Sequence, residues 1–193
     1  MKGLWLARHG ALPPNPERRF IGAADIPLSD TGRAQTNALA SDIAPLLRSG
    51  DVAAFVCSDL RRSRESAAIL RALTGVEDTF PLLVEPGLRE ISLGSWEGLS
   101  PSGVERAFPG QYAERGRNPA SFCPPGGESF QALRLRALAA LVRLRGLYPE
   151  GILLIVGHAG INRTLIAEYL ALPLADLLRI PQPYACATFL AGW

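Results

Sequence analysis

Short apolar runs alternate along this chain with longer stretches in which apolar residues recur every three or four positions. Residues 4–7, 53–57, 80–84, 152–156 and 185–190 are almost continuously apolar, as expected of strands covered on both faces. Between them, residues 29–47 place Ala34, Ala38, Ile43 and Leu47 on one side of a helix. Ser29 or Asp30 can cap its start, and Pro45 is expected to kink it or end it early. A second helix is expected over residues 62–73, stopped by Gly75. In the clearest periodic stretch Phe130, Leu133, Ala137, Leu141, Leu144 and Tyr148 share one face, Arg136 and Arg143 point away as a solvated one, and Pro149 closes the helix. A last helix opens at His158-Ala159-Gly160 and runs to Leu170. Residues 94–127 break the alternation. They are rich in Gly, Pro and Trp and read as loop with one short helix over 102–108, and irregular stretches of this kind often cover active sites.

This alternation implies an α/β protein: three layers, α/β/α, around a mostly parallel central sheet, in one domain spanning residues 1–193 with the 94–127 stretch as a substrate cover. Ligands in such sheets bind beyond the carboxyl ends of the strands. A chain of 193 residues, 48% apolar and 20% charged, has the balance of a globular protein with a real core. Its 20 Lys and Arg residues nearly cancel against 18 Asp and Glu, so the +2 net charge gives no reason to expect nucleic acid as a partner. Cys57, Cys123 and Cys186 are odd in number and lack CxxC spacing, which argues against a disulfide framework or structural zinc and makes a reducing cytoplasm the default expectation. Arg8 interrupts the short apolar run after Lys2, so no signal-peptide pattern stands there. The longest apolar run, 152–156, is far short of a membrane span.

The chain has 2 histidines, and each stands directly beyond an apolar strand: His9 in Leu6-Ala7-Arg8-His9-Gly10 and His158 in Val156-Gly157-His158-Ala159-Gly160. A lone loop histidine more often satisfies local hydrogen bonds than does chemistry; two at one structural address, each among small residues, reverse that balance. Zinc usually takes three or four protein ligands, yet there is no HxH, HExxH or Cys/His cluster, and Arg8 would repel a cation beside His9. An anion fits better, because the helix opening after His158 offers free N–H groups. Two further strand ends carry charge. Cys57-Ser58-Asp59-Leu60-Arg61-Arg62-Ser63-Arg64 brings arginines to a strand-to-helix turn, and the stretch from Leu88 to Gly98 brings Glu90 and Glu97, each of which taken alone reads as a surface residue. Trp96 reads as core or loop packing rather than a substrate platform.

In their order along the chain these segments resemble the histidine phosphatase superfamily, which includes the cofactor-dependent phosphoglycerate mutases. Arg8-His9-Gly10 matches the family signature, and Asn15 stands at its asparagine spacing. Gly22-Ala23-Ala24-Asp25-Ile26-Pro27-Leu28-Ser29 with Gly32 and Gln35 is similar to its G-x-x-D-x-P-L-[ST] segment. Ser58-x-Leu60-x-Arg62, Leu88-Arg89-Glu90 with Gly94-x-Trp96-Glu97-Gly98, Pro125-Gly126-Gly127-Glu128-Ser129 and Val156-Gly157-His158 complete the match, over about residues 4–165. The resemblance implies a phosphoglycerate mutase-like fold and a phosphomonoesterase that needs neither metal nor cofactor. It makes His9 the nucleophile, lets Arg8, Arg62 and His158 hold the phosphoryl group, and makes Glu90 the proton donor. Asn15, Gly22 and Ala159 would border the phosphate or substrate.

Such chemistry suits these residue types. Guanidinium groups neutralise and orient the nonbridging oxygens, and an imidazole attacks only when neutral, which neighbouring arginines favour. The second ring nitrogen needs an acceptor, expected to be a backbone carbonyl. The sequence departs from the family pattern at Ala11 and Leu12, where polar residues are usual, so the substrate mouth is expected to be less polar. The chain is shorter than glycolytic mutases of this type, which favours a phosphatase acting on a small phosphorylated metabolite. The motifs look most like those of alpha-ribazole 5'-phosphate phosphatases. Mutase-type transfer is the alternative within the family. A noncatalytic phospho-ligand module is the alternative outside it, and it sits poorly with His9, Arg62, Glu90 and His158 all being present. The pattern carries no signal for an oligomeric state.

Overall fold

The computed structural model describes residues 2–48, 51–74, 80 and 82–193. In chain order the elements are β1 (Gly3–Arg8), α1 (Asp30–Arg48), β2 (Val52–Cys57), α2 (Arg61–Thr74), β3 (Leu82–Val84), α3 (Pro101–Ala107), α4 (Gln111–Arg117), α5 (Phe130–Leu147), β4 (Ile152–Gly157), α6 (Ala159–Tyr169) and β5 (Ala187–Ala191), with short 3-10 turns between some of them. The strands form one sheet in the order β3-β2-β4-β1-β5. All neighbours are parallel except β5, which runs antiparallel to β1 at the edge. Alternate strand residues feed two cores. Leu4, Leu6, Val56, Leu153 and Ile155 pack toward α5 and α6, whereas Phe55, Leu154 and Val156 pack toward α1 and α2. This is the three-layer α/β/α arrangement expected from the apolar strands.

Register places the chemistry. β1 and β4 are central and parallel, with Arg8 opposite Gly157. The next residue on each strand is a histidine, so His9 and His158 leave the same edge side by side. Cys57 lies opposite Val156 on the other flank, which delivers Ser58 and the start of α2 to that edge.

Several elements differ from the sequence reading. Pro45 does not end α1, which continues to Arg48. The carbonyl it deprives of a partner belongs to exposed Ser41, which water can serve, and buried Ile43 and Leu47 on either side hold the last turn to the sheet. The buried side of α1 is Gly32, Thr36, Leu39, Ala40, Ile43 and Leu47, while Ala34 and Ala38 are exposed. Alanine tolerates either environment, so it marks a face weakly. The 94–127 stretch holds two α-helices, α3 and α4, rather than one; α3 is capped by the Ser100 hydroxyl, which accepts from Gly103 N. Trp96 is fully buried there, against Phe20 and Phe122. The predicted stop at Gly75 lies outside the described residues. Arg136 and Arg143 are not a free solvated face: Arg136 pairs with Glu128 and Arg143 with Glu85.

The motif that follows the first histidine is a packing device. A Cβ on Gly10 would lie 2.1 Å from Gly32 O, and one on Gly32 would lie 2.0 Å from Ala11 O. The loop after β1 therefore rests directly on the first turn of α1. Ser29 Oγ caps that turn by accepting from Gly32 N at 3.0 Å, and Gln35 Oε1 accepts from Ala11 N at 2.9 Å. Gly32→Ala should cost on the order of 2 kcal/mol in urea unfolding, because the added methyl meets backbone that cannot move independently of His9. Gly116→Ala, in α4 with nothing within 4 Å of the added carbon, should be neutral or stabilising by up to about 1 kcal/mol. Equal effects of the two substitutions would contradict the close approach.

Candidate active site

His9 is 3% exposed at the end of β1. Its Nδ1 lies 2.7 Å from Gly10 O. A carbonyl only accepts, so Nδ1 carries the proton and Nε2 keeps its lone pair. Burial, then the Arg62 charge, with a smaller contribution from Arg8, lower the His9 pKa to about 3. The imidazole is neutral at any physiological pH and its free nitrogen is nucleophilic.

Arg62 extends from the first turn of α2 and is 1% exposed. Its NH1 donates to Ala24 O at 2.6 Å, its NH2 to Gly22 O at 2.8 Å and its Nε to His158 Nδ1 at 3.2 Å. All three acceptors are neutral, and Arg62 makes no salt bridge among the described residues. Burial lowers its pKa, and the nearby Glu90 and Asp25 carboxylates oppose that. With three of five guanidinium protons used, two remain for a ligand. His158 is wholly buried. Because Arg62 Nε must donate to its Nδ1, its Nε2 bears the proton and gives it to Ser58 Oγ at 2.6 Å. Burial first, then His9, Arg62 and Arg8, hold His158 well below the usual imidazole pKa. Its ring centroid is 5.1 Å from that of His9.

Arg8 lies on the other flank. It donates through NH1 to Gln182 O, and its guanidinium stands 3.9 Å over the Tyr184 ring. It too makes no salt bridge among the described residues. Glu90 follows the 3-10 turn after β3. Its Oε2 accepts from Gly160 N at 2.9 Å, where a Cβ on Gly160 would lie 2.3 Å from Oε1. Only glycine lets that carboxylate reach the first turn of α6. Ala159 opens the helix, with His158 at its N-cap. Gly22 adopts φ +52 and offers its carbonyl to Arg62. The Asn15 amide closes its own loop, donating to Arg19 O at 2.8 Å and accepting from Arg19 N at 2.9 Å.

Residues to which the sequence reading gave no role in the site hold these groups in place. Glu97 Oε1 accepts from Ala23 N and Leu93 N, which fixes the loop whose carbonyls clamp Arg62. Asp25 caps α2 through Arg61 N. Glu128 pairs with Arg136, which also reaches Gly87 O and Arg89 O and so clasps the segment carrying Glu90. Gln182 and Tyr184 come from the loop before β5, far along the chain, and no local motif marks them. Leu12, Pro13, Phe20, Ile21, Ala24 and Ile26 line an apolar cavity of about 240 Å³ in the loop that follows His9.

The arrangement is an electropositive cluster with a neutral imidazole, guanidinium N–H groups left over by the hydrogen bonds above and a carboxylate nearby. Among the described residues no group of three or more His, Cys, Asp or Glu is placed to hold a metal ion, and no helix is long and apolar enough to cross a membrane.

Known proteins resemble this chain in sequence and fold. A family model described as the histidine phosphatase superfamily (branch 1) matches residues 4–192. The adenosylcobalamin/alpha-ribazole phosphatase of Salmonella typhimurium is 31% identical over 183 residues, 95% of this chain and 87% of that protein. The glucosyl-3-phosphoglycerate phosphatase of Mycobacterium tuberculosis is 32% identical over 184 residues, 90% of this chain and 77% of that protein. The solved structure of Bacillus stearothermophilus YhfR superposes with a TM-score of 0.85 at 30% identity, covering 98% of this chain and 90% of that one.

The two buried histidines set a pH dependence. Both have folded pKa values below the unfolded 6.5, so between pH 6.5 and about 3 the unfolded chain binds protons that the folded one does not. Stability contributed by neutral burial is therefore present above pH 6.5 and lost as pH falls. The carboxylates held low by arginines, such as Asp59 and Glu168, act with the same sign but only near and below their ordinary values of 3.8 and 4.5. From pH 6.5 to 5 the slope belongs to the histidines, roughly 1 kcal/mol per histidine per pH unit at most. Urea titrations at pH 7, 6 and 5 should show it, and His9→Gln should remove about half. A flat profile in the wild type would contradict neutral burial.

Proposed function

This chain belongs to the histidine phosphatase superfamily and is a phosphomonoester hydrolase, and we propose that it works without a metal, through a phosphohistidine formed on His9. The observation that carries the reading is the neutral His9 Nε2 beside two guanidinium groups, Arg62 buried and Arg8 half-buried, that lack carboxylate partners among the described residues. A phosphate dianion supplies the missing counter-charge.

In the first step the His9 Nε2 lone pair forms a bond to phosphorus while the bond to the ester oxygen breaks, and Glu90 gives its proton to that oxygen. Arg8 and Arg62 take up the charge on the nonbridging oxygens, which is most of what phosphoryl transfer asks of a protein. In the second, Glu90 takes a proton from water as the water oxygen attacks phospho-His9, which releases inorganic phosphate and restores both groups. His158 acts through Arg62, and Ser58 fixes its tautomer.

The substrate is a small phosphorylated metabolite. The apolar cavity after His9, with Leu12 where a polar residue is usual, favours an ester whose leaving group carries an apolar ring over a compact polar acid. Alpha-ribazole 5'-phosphate has such a ring, and a relative's name includes that activity. The 94–127 cover, through α3 and α4, shapes the rest of the mouth.

Rapid quench with an aryl phosphate in chelator should trap an acid-labile phosphoenzyme. His9→Ala should abolish it, and Glu90→Gln should slow turnover by about 100-fold or more. Activity that vanishes in chelator and returns with a divalent ion would refute the metal-free scheme. A panel of alpha-ribazole 5'-phosphate, glucosyl-3-phosphoglycerate, 3-phosphoglycerate and fructose 2,6-bisphosphate then assigns the ester. Appearance of 2-phosphoglycerate rather than free phosphate would identify mutase-type transfer.

A further inference from the structure

The two arginines are held very differently. Among the described residues Arg62 has three neutral acceptors around it, whereas Arg8 has a single carbonyl, Gln182 O, and its buried Nε has no hydrogen-bond partner. A guanidinium so lightly tethered would swing unless something else held its plane. The Tyr184 ring is placed to do so, 3.9 Å from Arg8 Cζ, with its centroid 5.6 Å from the His9 ring.

We propose that Tyr184 is a positioning residue for the hydrolytic reaction, its ring fixing the Arg8 guanidinium in the plane that receives the phosphoryl oxygens. The proposal rests on the phosphatase reading above and adds a residue to it.

The backbone around Tyr184 is built for this purpose. Ala185 N donates to His9 O, and Cys186 O accepts from Arg8 N at 2.8 Å, so the loop is laced to the very strand end it serves. The Gln182 side chain is buried and accepts from Asn162 Nδ2 of α6 at 3.0 Å, while Ile180 O accepts from Arg163 Nε at 2.8 Å. Ala185 adopts φ +51, a left-handed conformation that a residue with a Cβ rarely takes. That turn separates Tyr184 from the course of β5 and leaves its ring over Arg8. Strain of this kind persists where surrounding contacts over-determine the chain, and it gathers at functional sites. A phenol face attracts a guanidinium through its quadrupole, more strongly where water is partly excluded, and it does so without consuming an N–H. Beyond the NH1 proton given to Gln182 O, the terminal N–H groups of Arg8 stay free for the ligand, which a carboxylate partner would have prevented.

The test compares wild type, Tyr184→Leu, Tyr184→Phe, Arg8→Lys and the Tyr184→Leu/Arg8→Lys double variant. Steady-state hydrolysis of an aryl phosphate and competitive inhibition by inorganic phosphate are both read. Tyr184→Leu should raise KM and the phosphate inhibition constant about tenfold or more with less than about threefold change in kcat, while Tyr184→Phe should return to within about threefold of wild type. In the Arg8→Lys background the Leu substitution should add less than about threefold, because its effect passes through the guanidinium. Tyr184→Gln serves in place of Tyr184→Leu if the latter's melting temperature falls. Wild-type constants in Tyr184→Leu, an undiminished effect in the Lys background, or a Phe variant as impaired as Leu would each overturn the proposal. A wild type that neither turns over the ester nor binds phosphate would overturn the phosphatase reading, and the role of Tyr184 with it.

Discussion

A buried guanidinium without a carboxylate partner among the described residues is the constraint on which this structure turns. Desolvating Arg62 is costly, and proteins usually meet that cost with an ion pair. Here it is met by two carbonyls and an imidazole nitrogen. Neutral acceptors lower the cost without cancelling the charge, so the site remains electropositive. Each acceptor then needs its own support. Glu97 ties the Gly22–Ala23 turn to Leu93, and Ser58 takes the proton that would otherwise leave the His158 tautomer undetermined.

Sheet register does the next part of the work. Because β1 and β4 are adjacent and parallel, two histidines distant in sequence emerge at one edge. The same edge receives the turn into α2 that carries Arg62. Both imidazoles are kept neutral by burial and by the arginines, which leaves the His9 Nε2 lone pair free at neutral pH. Gly10 and Gly32 let backbone press on backbone behind His9, so its imidazole is carried by rigid elements rather than by a free loop.

Residues of one type have divided their labour according to what they touch. Glu90 faces the helix opening at Gly160, Glu97 staples a loop, and Glu128 with Arg136 clasps the segment bearing Glu90. The relatives named for alpha-ribazole and glucosyl-3-phosphoglycerate chemistry match nearly the whole chain. On the proposed reading, leaving-group selection falls to the apolar loop after His9 and the segment bearing α3 and α4.

The sequence by itself determined the alternation of buried strands and helices, the α/β class, and the shared address of His9 and His158, because each histidine stands at a strand end that local patterning marks. Arg62 and Glu90 stand out through the family resemblance, since taken alone each reads as a surface residue. Local patterning could not show that α1 runs past Pro45, since that depends on packing against the sheet. It misjudged Ala34 and Ala38 because alanine is indifferent to burial. It also read Arg136 as solvated, because its partners Glu128, Gly87 and Arg89 lie on other segments. Tertiary structure alone decided which proton each histidine carries, that Asn15 spends its amide on its own loop, and that Gln182 and Tyr184 flank Arg8. Contacts such as Arg62 with His158 and Arg8 with Gln182 join distant parts of the chain and depend on how strands are ordered in the sheet, and no periodicity along the chain records that order.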